Sequence, residues 1–210
     1  MCTICSVPDG EPSAIELLRG RFGGRPFRTR EALQVGVSRT TVHRLREEGA
    51  LEAAGRGVVR LAGTGMGMLS DLAVVSARVP GGTICLNSAL AFWDLTDEIP
   101  ARVHVAIARG ARPPLIDHPA TVVHTFDAGT FELERCMAQT DVDEPFCIYS
   151  AERTVIDAMR LPRLVGQDVA LQALRRYLAQ RGSSPARLTE LARELGGERR
   201  LRSALEALLS

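Results

Sequence analysis

Three helix-capping signals and a tight hairpin, all within about fifty residues, constrain this chain more than any other feature. Ser13 and Glu16 form an S-x-x-E capping box that opens a short helix with Ile15, Leu17 and Leu18 as its apolar residues. Gly23-Gly24 ends that helix. Pro26-Phe27 leads to Thr29, the expected cap of a second short helix running to residue 35, after which Gly36 turns the chain. Ser38 caps a third helix over 39–48, and Gly49 stands where a left-handed stop belongs. Residues 51–54 and 58–61 are β-capable runs joined by Gly55-Arg56-Gly57, which reads as a hairpin turn. This order of elements is that of a winged helix-turn-helix.

The third helix carries a distinctive division of side chains. At 100° per residue Thr41, Val42 and Leu45 fall on one side, while Arg39, Thr40, His43 and Glu47 fall on the other. Arg44 and Arg46 flank that second face. A major groove calls for this layout, because base edges are read by hydrogen-bonding side chains while phosphates need charge on either side. Arg39, Thr40 and His43 are the expected base contacts. Arg44, Arg46 and the hairpin-tip Arg56 are expected to hold phosphates or a minor groove, and Ser38 and Thr41 complete the candidate DNA-binding set.

Charge distribution points the same way. Overall the chain is close to neutral, at +1, yet from Arg19 to Arg46 eight arginines stand against one acid, Glu31. Clustered charge of one sign suggests a polyanionic partner more strongly than the total does. All 26 basic residues are arginine. Without lysine, a phosphate-loop lysine, a Schiff base and the lysine of the common metal-dependent nuclease core are excluded.

Residues 1–12 read as a loose tail, 13–62 as the winged module, and 63–68, rich in glycine, as a linker. The remainder, 69–210, reads as a larger mixed domain. A helix is expected over 69–77 and an apolar helix over 83–93. Strands are expected over 102–107, 121–126, 131–133 and 146–149. In the first of these Val103, Val105 and Ile107 share one face and Arg102, His104 and Ala106 the other, the alternation of a half-buried strand. Helices follow over 151–161, 167–180, 185–195 and 198–208, with Ser184 capping the third and Pro185 in its first turn. A small sheet followed by a helical run makes the fold class α+β.

Chemistry is sparse. Five cysteines do not form a disulfide framework, and nothing resembles a signal peptide or a membrane span, so a reduced, cytoplasmic protein is expected. Cys2-x-x-Cys5 has zinc-ligand spacing but no second pair, so neither a metal nor any other cofactor is expected. The four histidines show no ligand or triad spacing. Gly129-Thr130 ahead of Asp141-x-Asp143 loosely matches nucleotidyltransferase spacing, without the usual serine in the turn. Glu152, Arg153 and Asp157 lie on one helix, either as an i,i+4 ion pair with an acid near the helix start or as a surface that orients a partner.

Several stretches together resemble the AbiEi antitoxins of abortive-infection, type IV toxin–antitoxin systems. They are VSRTTVHRLREEGALEAAGRGVVRL at 37–61, ICLNSALAFWDLTDEIPARVHVAI at 84–107, SAERTVIDAMRL at 150–161, and the closing run with VALQALRRYL and SPARLTELAREL. The resemblance implies a two-domain repressor whose winged helix binds inverted repeats in the promoter of its own operon. It implies that the C-terminal domain carries antitoxicity against a neighbouring nucleotidyltransferase-like toxin, with or without direct contact. Recognition-helix and wing-tip positions carry over, and no catalytic residue does. Longer relatives end in a nuclease domain; the helical ending and the missing lysine set this chain apart from them. The expected function is a non-enzymatic, DNA-binding antitoxin. Two alternatives are a ligand-responsive regulator, with a pocket under the Trp93 helix, and an enzyme using Asp141 and Asp143.

Overall fold

The computed structural model describes residues 12–63, 69–140 and 143–209, and the chain divides into two compact units, Met1–Gly65 and Met66–Ser210. The expected tail and linker, apart from residues 12 and 63, lie outside the described residues, as do Cys2, Cys5 and Asp141. The fold is α+β, with helices and a small antiparallel sheet in the first unit and a larger sheet with helices in the second.

In the first unit the order is α1 (Ala14–Phe22), β1 (Phe27–Arg28), α2 (Thr29–Gln34), α3 (Arg39–Glu47), β2 (Leu51–Gly55) and β3 (Val58–Leu61). The Ser13 N–H donates to Glu16 Oε2 at 2.7 Å while Ser13 Oγ accepts from the Glu16 N–H at 3.3 Å, completing the box that starts α1. Strands pair antiparallel in the order β1-β3-β2. Leu18, Phe22, Phe27, Val42, Leu45 and Val59 belong to one core, in which the Phe22 and Phe27 rings stack at 4.2 Å. The cap of α2 departs from expectation. Arg28, held extended by pairing with Val58, is the N-cap, and its N–H donates to Glu31 Oε2 at 2.7 Å. Thr29 is already helical because the strand before it delivers the chain one residue earlier than the local sequence implies.

The second unit runs α4 (Ser70–Arg78), β4 (Thr83–Ile84), α5 (Leu86–Phe92), β5 (Val103–Ala108), β6 (Thr121–Phe126), β7 (Arg135–Gln139), β8 (Pro145–Tyr149), α6 (Ala151–Arg160), α7 (Pro162–Val165), α8 (Gln167–Ala179), α9 (Pro185–Leu195) and α10 (Glu198–Leu209). Its sheet has the order β6-β5-β4-β8-β7. Neighbours β5/β6 and β4/β8 are parallel, and β4/β5 and β7/β8 antiparallel. Leu72 and Val75 of α4, with Val79 just after it, share a core with Val105, Phe146 and Ile148. On the opposite face Ala106 and Tyr149 join residues of α6, α8, α9 and α10 in a second core.

Three expectations give way to the tertiary structure. Residues 83–93 are not one helix: Thr83 and Ile84 form the central strand, and Leu86, at φ 45°, turns the chain into α5. A short apolar run is ambiguous between a buried strand and a helix until its partners are known. Residues 131–133 form a turn, not a strand; the strand at that edge of the sheet is β7, whose sequence RCMAQ lacks a clear apolar alternation. Finally, β5 is covered on both faces at its centre, since Ala106 is as fully buried as Val105.

Candidate nucleic-acid interface

Val42 and Leu45 anchor α3 into the first unit's core, and this burial fixes which side of the helix faces outward. Arg39, Thr40, His43, Arg44, Arg46 and Glu47 are all exposed. No acid occupies the first turn of α3, so its positive end is not offset by a side chain. The side chains of Arg39, Arg46 and Arg56 form no hydrogen bond or ion pair among the described residues. Arg44 does: it holds Glu48 at 3.1 Å, and His43 Nδ1 lies 3.4 Å from Glu47 Oε2. These i,i+4 pairs are solvent-exposed and weak, of order 0.3–0.5 kcal/mol, so a phosphate can displace the carboxylate from Arg44 at little cost.

Ser38 and Thr41 have a different job from the rest of the candidate set. Ser38 Oγ accepts from the Thr41 N–H at 3.1 Å and shares a 2.8 Å hydrogen bond with the Thr41 hydroxyl. Their oxygens are spent on starting the helix, and Thr41 is half-buried. Ser38→Ala is therefore expected to destabilise the first unit by about 1 kcal/mol, and Ser38→Asp to restore most of it. Denaturant unfolding of the full chain checks this, and an unchanged midpoint for the alanine variant would remove the cap from the account.

Arg56 is exposed at the turn between β2 and β3. Gly57, at φ 73°, supplies the left-handed residue this turn needs. Its carbonyl accepts the Thr29 N–H at 3.2 Å, so the tip is pinned to the start of α2. Glu31, the one acid in the arginine-rich window, is engaged at the same place, capping α2 and lying 3.7 Å from Arg25. The Arg25 guanidinium in turn sits 4.7 Å from the Phe22 ring centre.

In the second unit the three residues singled out from the sequence are not a surface. Arg153 and Asp157 have side chains only 0% and 1% exposed and meet at 3.0 Å. The i,i+4 pair of the structural reading is present, and it is a buried bond. Arg153 Nη1 also donates to the carbonyls of Thr130 (2.8 Å) and Leu133 (3.0 Å), and its guanidinium lies 4.4 Å from the Tyr149 ring centre. Asp157 accepts a second bond from Arg160 Nε at 2.7 Å. Glu152 is half-buried and accepts from the Tyr177 hydroxyl at 2.9 Å. Helical periodicity puts Arg153 and Asp157 on one face but says nothing about whether that face meets solvent.

The histidines of the sheet also form a pair. His124 Nε2 and His104 Nδ1 lie 3.0 Å apart across the parallel β5/β6 ladder, one donating and the other accepting. Burial, then His124 and Arg102 nearby, pushes His104 down to about 4, and burial lowers His124 as well. A histidine held neutral in the folded state takes up a proton on unfolding, so its stabilisation is complete above pH 6.5 and lost as pH falls towards 4. We expect the second unit to weaken across that window, and His104→Gln to flatten the dependence. Urea midpoints at about pH 7 and about pH 4.5 for both proteins check it; parallel curves would exclude His104 as the cause.

Among the described residues no group of three or more histidines, cysteines or acids could hold a metal ion, and no helix is long and apolar enough to cross a membrane. Trp93 is packed, its Nε1 donating to the Tyr149 carbonyl at 2.9 Å.

Residues 21–62 match the family model described as "Transcriptional regulator, AbiEi antitoxin". No curated protein matches the chain. Among solved structures, the RV2827C protein from Mycobacterium tuberculosis is similar at 16% identity, covering 90% of this chain and 78% of that one, with a TM-score of 0.46. The matched segment spans α2, α3 and the hairpin, the elements that carry the exposed arginines. The likeness to AbiEi antitoxin transcriptional regulators is thus carried by residues 21–62, within the first unit.

Proposed function

We propose that this protein is a DNA-binding, autoregulatory antitoxin, a regulator and not an enzyme, acting in the cytoplasm. The observation that carries the reading is the outward face of α3. Arg39, Thr40, His43 and Arg46 stand exposed on a helix seated by Val42 and Leu45, inside the segment that matches the AbiEi regulator model. In this reading α3 enters the major groove, Arg39 and His43 address base edges, and Arg44, Arg46 and Arg56 hold the backbone or the minor groove. The operator is an inverted repeat ahead of the protein's own operon, engaged by two copies. The antitoxic partner is a nucleotidyltransferase-like toxin encoded next to it.

Two measurements test this. Fluorescence anisotropy with duplex from upstream of the coding sequence is expected to give binding about a thousandfold or more tighter than a shuffled duplex at physiological salt. Equal affinity for both would overturn the autoregulatory reading. Co-expression with the adjacent gene is expected to relieve its toxicity; no relief, with the protein folded and abundant, would overturn the antitoxin assignment.

A further inference from the structure

A cleft of about 530 Å³ opens in the second unit between the first turns of α8 and one face of α10. Met159, at the end of α6, and Pro162, at the start of α7, line it together with Ala170 and Leu171 of α8. From α10 come Ala204 and Ala207 as small apolar residues and Arg199 and Arg200 as charges. Residues 200, 204 and 207 recur at helical spacing, so one stripe of α10 faces the space, and alanine at 170, 204 and 207 leaves it unfilled. The volume lies within the range of small-molecule sites and far above that of an ordinary packing void.

Electrostatics narrows the occupant. The lining contains two guanidiniums and no carboxylate. Arg200 is steadied by the Met159 and Arg160 carbonyls, at 3.4 and 3.3 Å from its Nη1. The Arg199 side chain forms no hydrogen bond or ion pair among the described residues. Glu198, the neighbouring acid, is already engaged by Arg193 and Arg202 and does not neutralise this rim. An apolar trough with one steadied and one uncommitted guanidinium suits a molecule that is greasy along its length and anionic at one end.

We infer that this cleft binds a small amphipathic carboxylate, a medium-chain fatty acid in chemical class, with Arg199 and Arg200 on the carboxylate and the chain lying against Met159, Leu171 and the alanines. The site is independent of the DNA reading: it lies in the other unit, and its test involves no DNA.

Decanoate, below its micelle concentration, is the probe, added to the full chain and followed by calorimetry and thermal unfolding. Saturable one-to-one binding that raises the melting temperature is expected. Arg199→Gln, at an exposed side chain, should weaken it on the order of tenfold. Ala204→Phe should fill the trough and abolish binding. Ala207→Phe, at the exposed mouth, does the same with less risk to folding, and circular dichroism confirms that each variant is folded. The inference is overturned by no saturable binding to the folded protein, by binding that survives both phenylalanine variants, or by equal binding of 1-decanol. A concentration-dependent dimer abolished by Ala207→Phe would assign the trough to a second copy of the chain and overturn it as well.

Discussion

Replacing Arg39, Arg46 and Arg56 together by alanine is expected to lower affinity for the operator on the order of a thousandfold, at about 1.4 kcal/mol for each charge-assisted hydrogen bond removed. The protein should remain as stable as before, because all three side chains are exposed and unpaired among the described residues. Salt dependence separates their roles. Each phosphate neutralised contributes about 0.9 to the slope of log affinity against log salt, so removing Arg46 and Arg56 should flatten the slope by about two units. If Arg39 instead reads a base, its single substitution should leave most of the slope intact and relax preference at one position by about 1–3 kcal/mol. Glu48→Gln should act in the opposite sense and tighten binding, since it frees Arg44 and removes a negative charge beside the phosphates. An undiminished slope in the triple variant would take α3 and the hairpin tip off the duplex.

The second large effect lies in the other unit. Arg153→Met is expected to destabilise it by about 3–5 kcal/mol, enough to unfold a marginal domain. Four interactions disappear at once: the bond to Asp157, the donors to the Thr130 and Leu133 carbonyls, and the guanidinium over Tyr149. Asp157 keeps Arg160, but a carboxylate 1% exposed is then left with one cation where it had two. Removing the acid as well, in Arg153→Met/Asp157→Leu, should recover only part of the stability. The two turn carbonyls still lack their donor, and Arg160 is deprived of its carboxylate. Lysine at 153 should fall between, since it lacks the planar fork that reaches several acceptors in fixed geometry. Urea unfolding of the four proteins decides it; an Arg153→Met stability within about 1 kcal/mol of the parent would mean that this network contributes little.

That network shows how a residue pair can be legible while its role is not. The spacing of Arg153 and Asp157 announces an ion pair on a helix, and the pair is there. Its desolvation depends on the turn over residues 130–134 folding down across α6, an arrangement that joins residues some twenty positions apart in the chain. The same turn displaced the expected strand at 131–133. Phe131 there serves the core by packing edge-on against Tyr149 and accepting its hydroxyl hydrogen bond.

The amino-acid sequence by itself determined the elements whose ends are set by local chemistry. The Ser13/Glu16 box starts α1, Ser38 starts α3, Ser184 and Pro185 start α9, and Gly57 turns the hairpin, because each signal satisfies backbone groups within a few residues of itself. The outward face of α3 was legible for the same reason, since a buried Val42 and Leu45 dictate it through helical geometry. Only the tertiary structure decided that Thr83–Ile84 is the middle of a sheet, because that strand exists through Val105 on one side and Ile148 on the other. It alone decided that Arg28 caps α2, that Arg153 is buried, and that α8 and α10 stand apart over a row of alanines. Caps and turns are short-range contracts that a chain can state in its own order; burial and empty space belong to groups that meet only after folding.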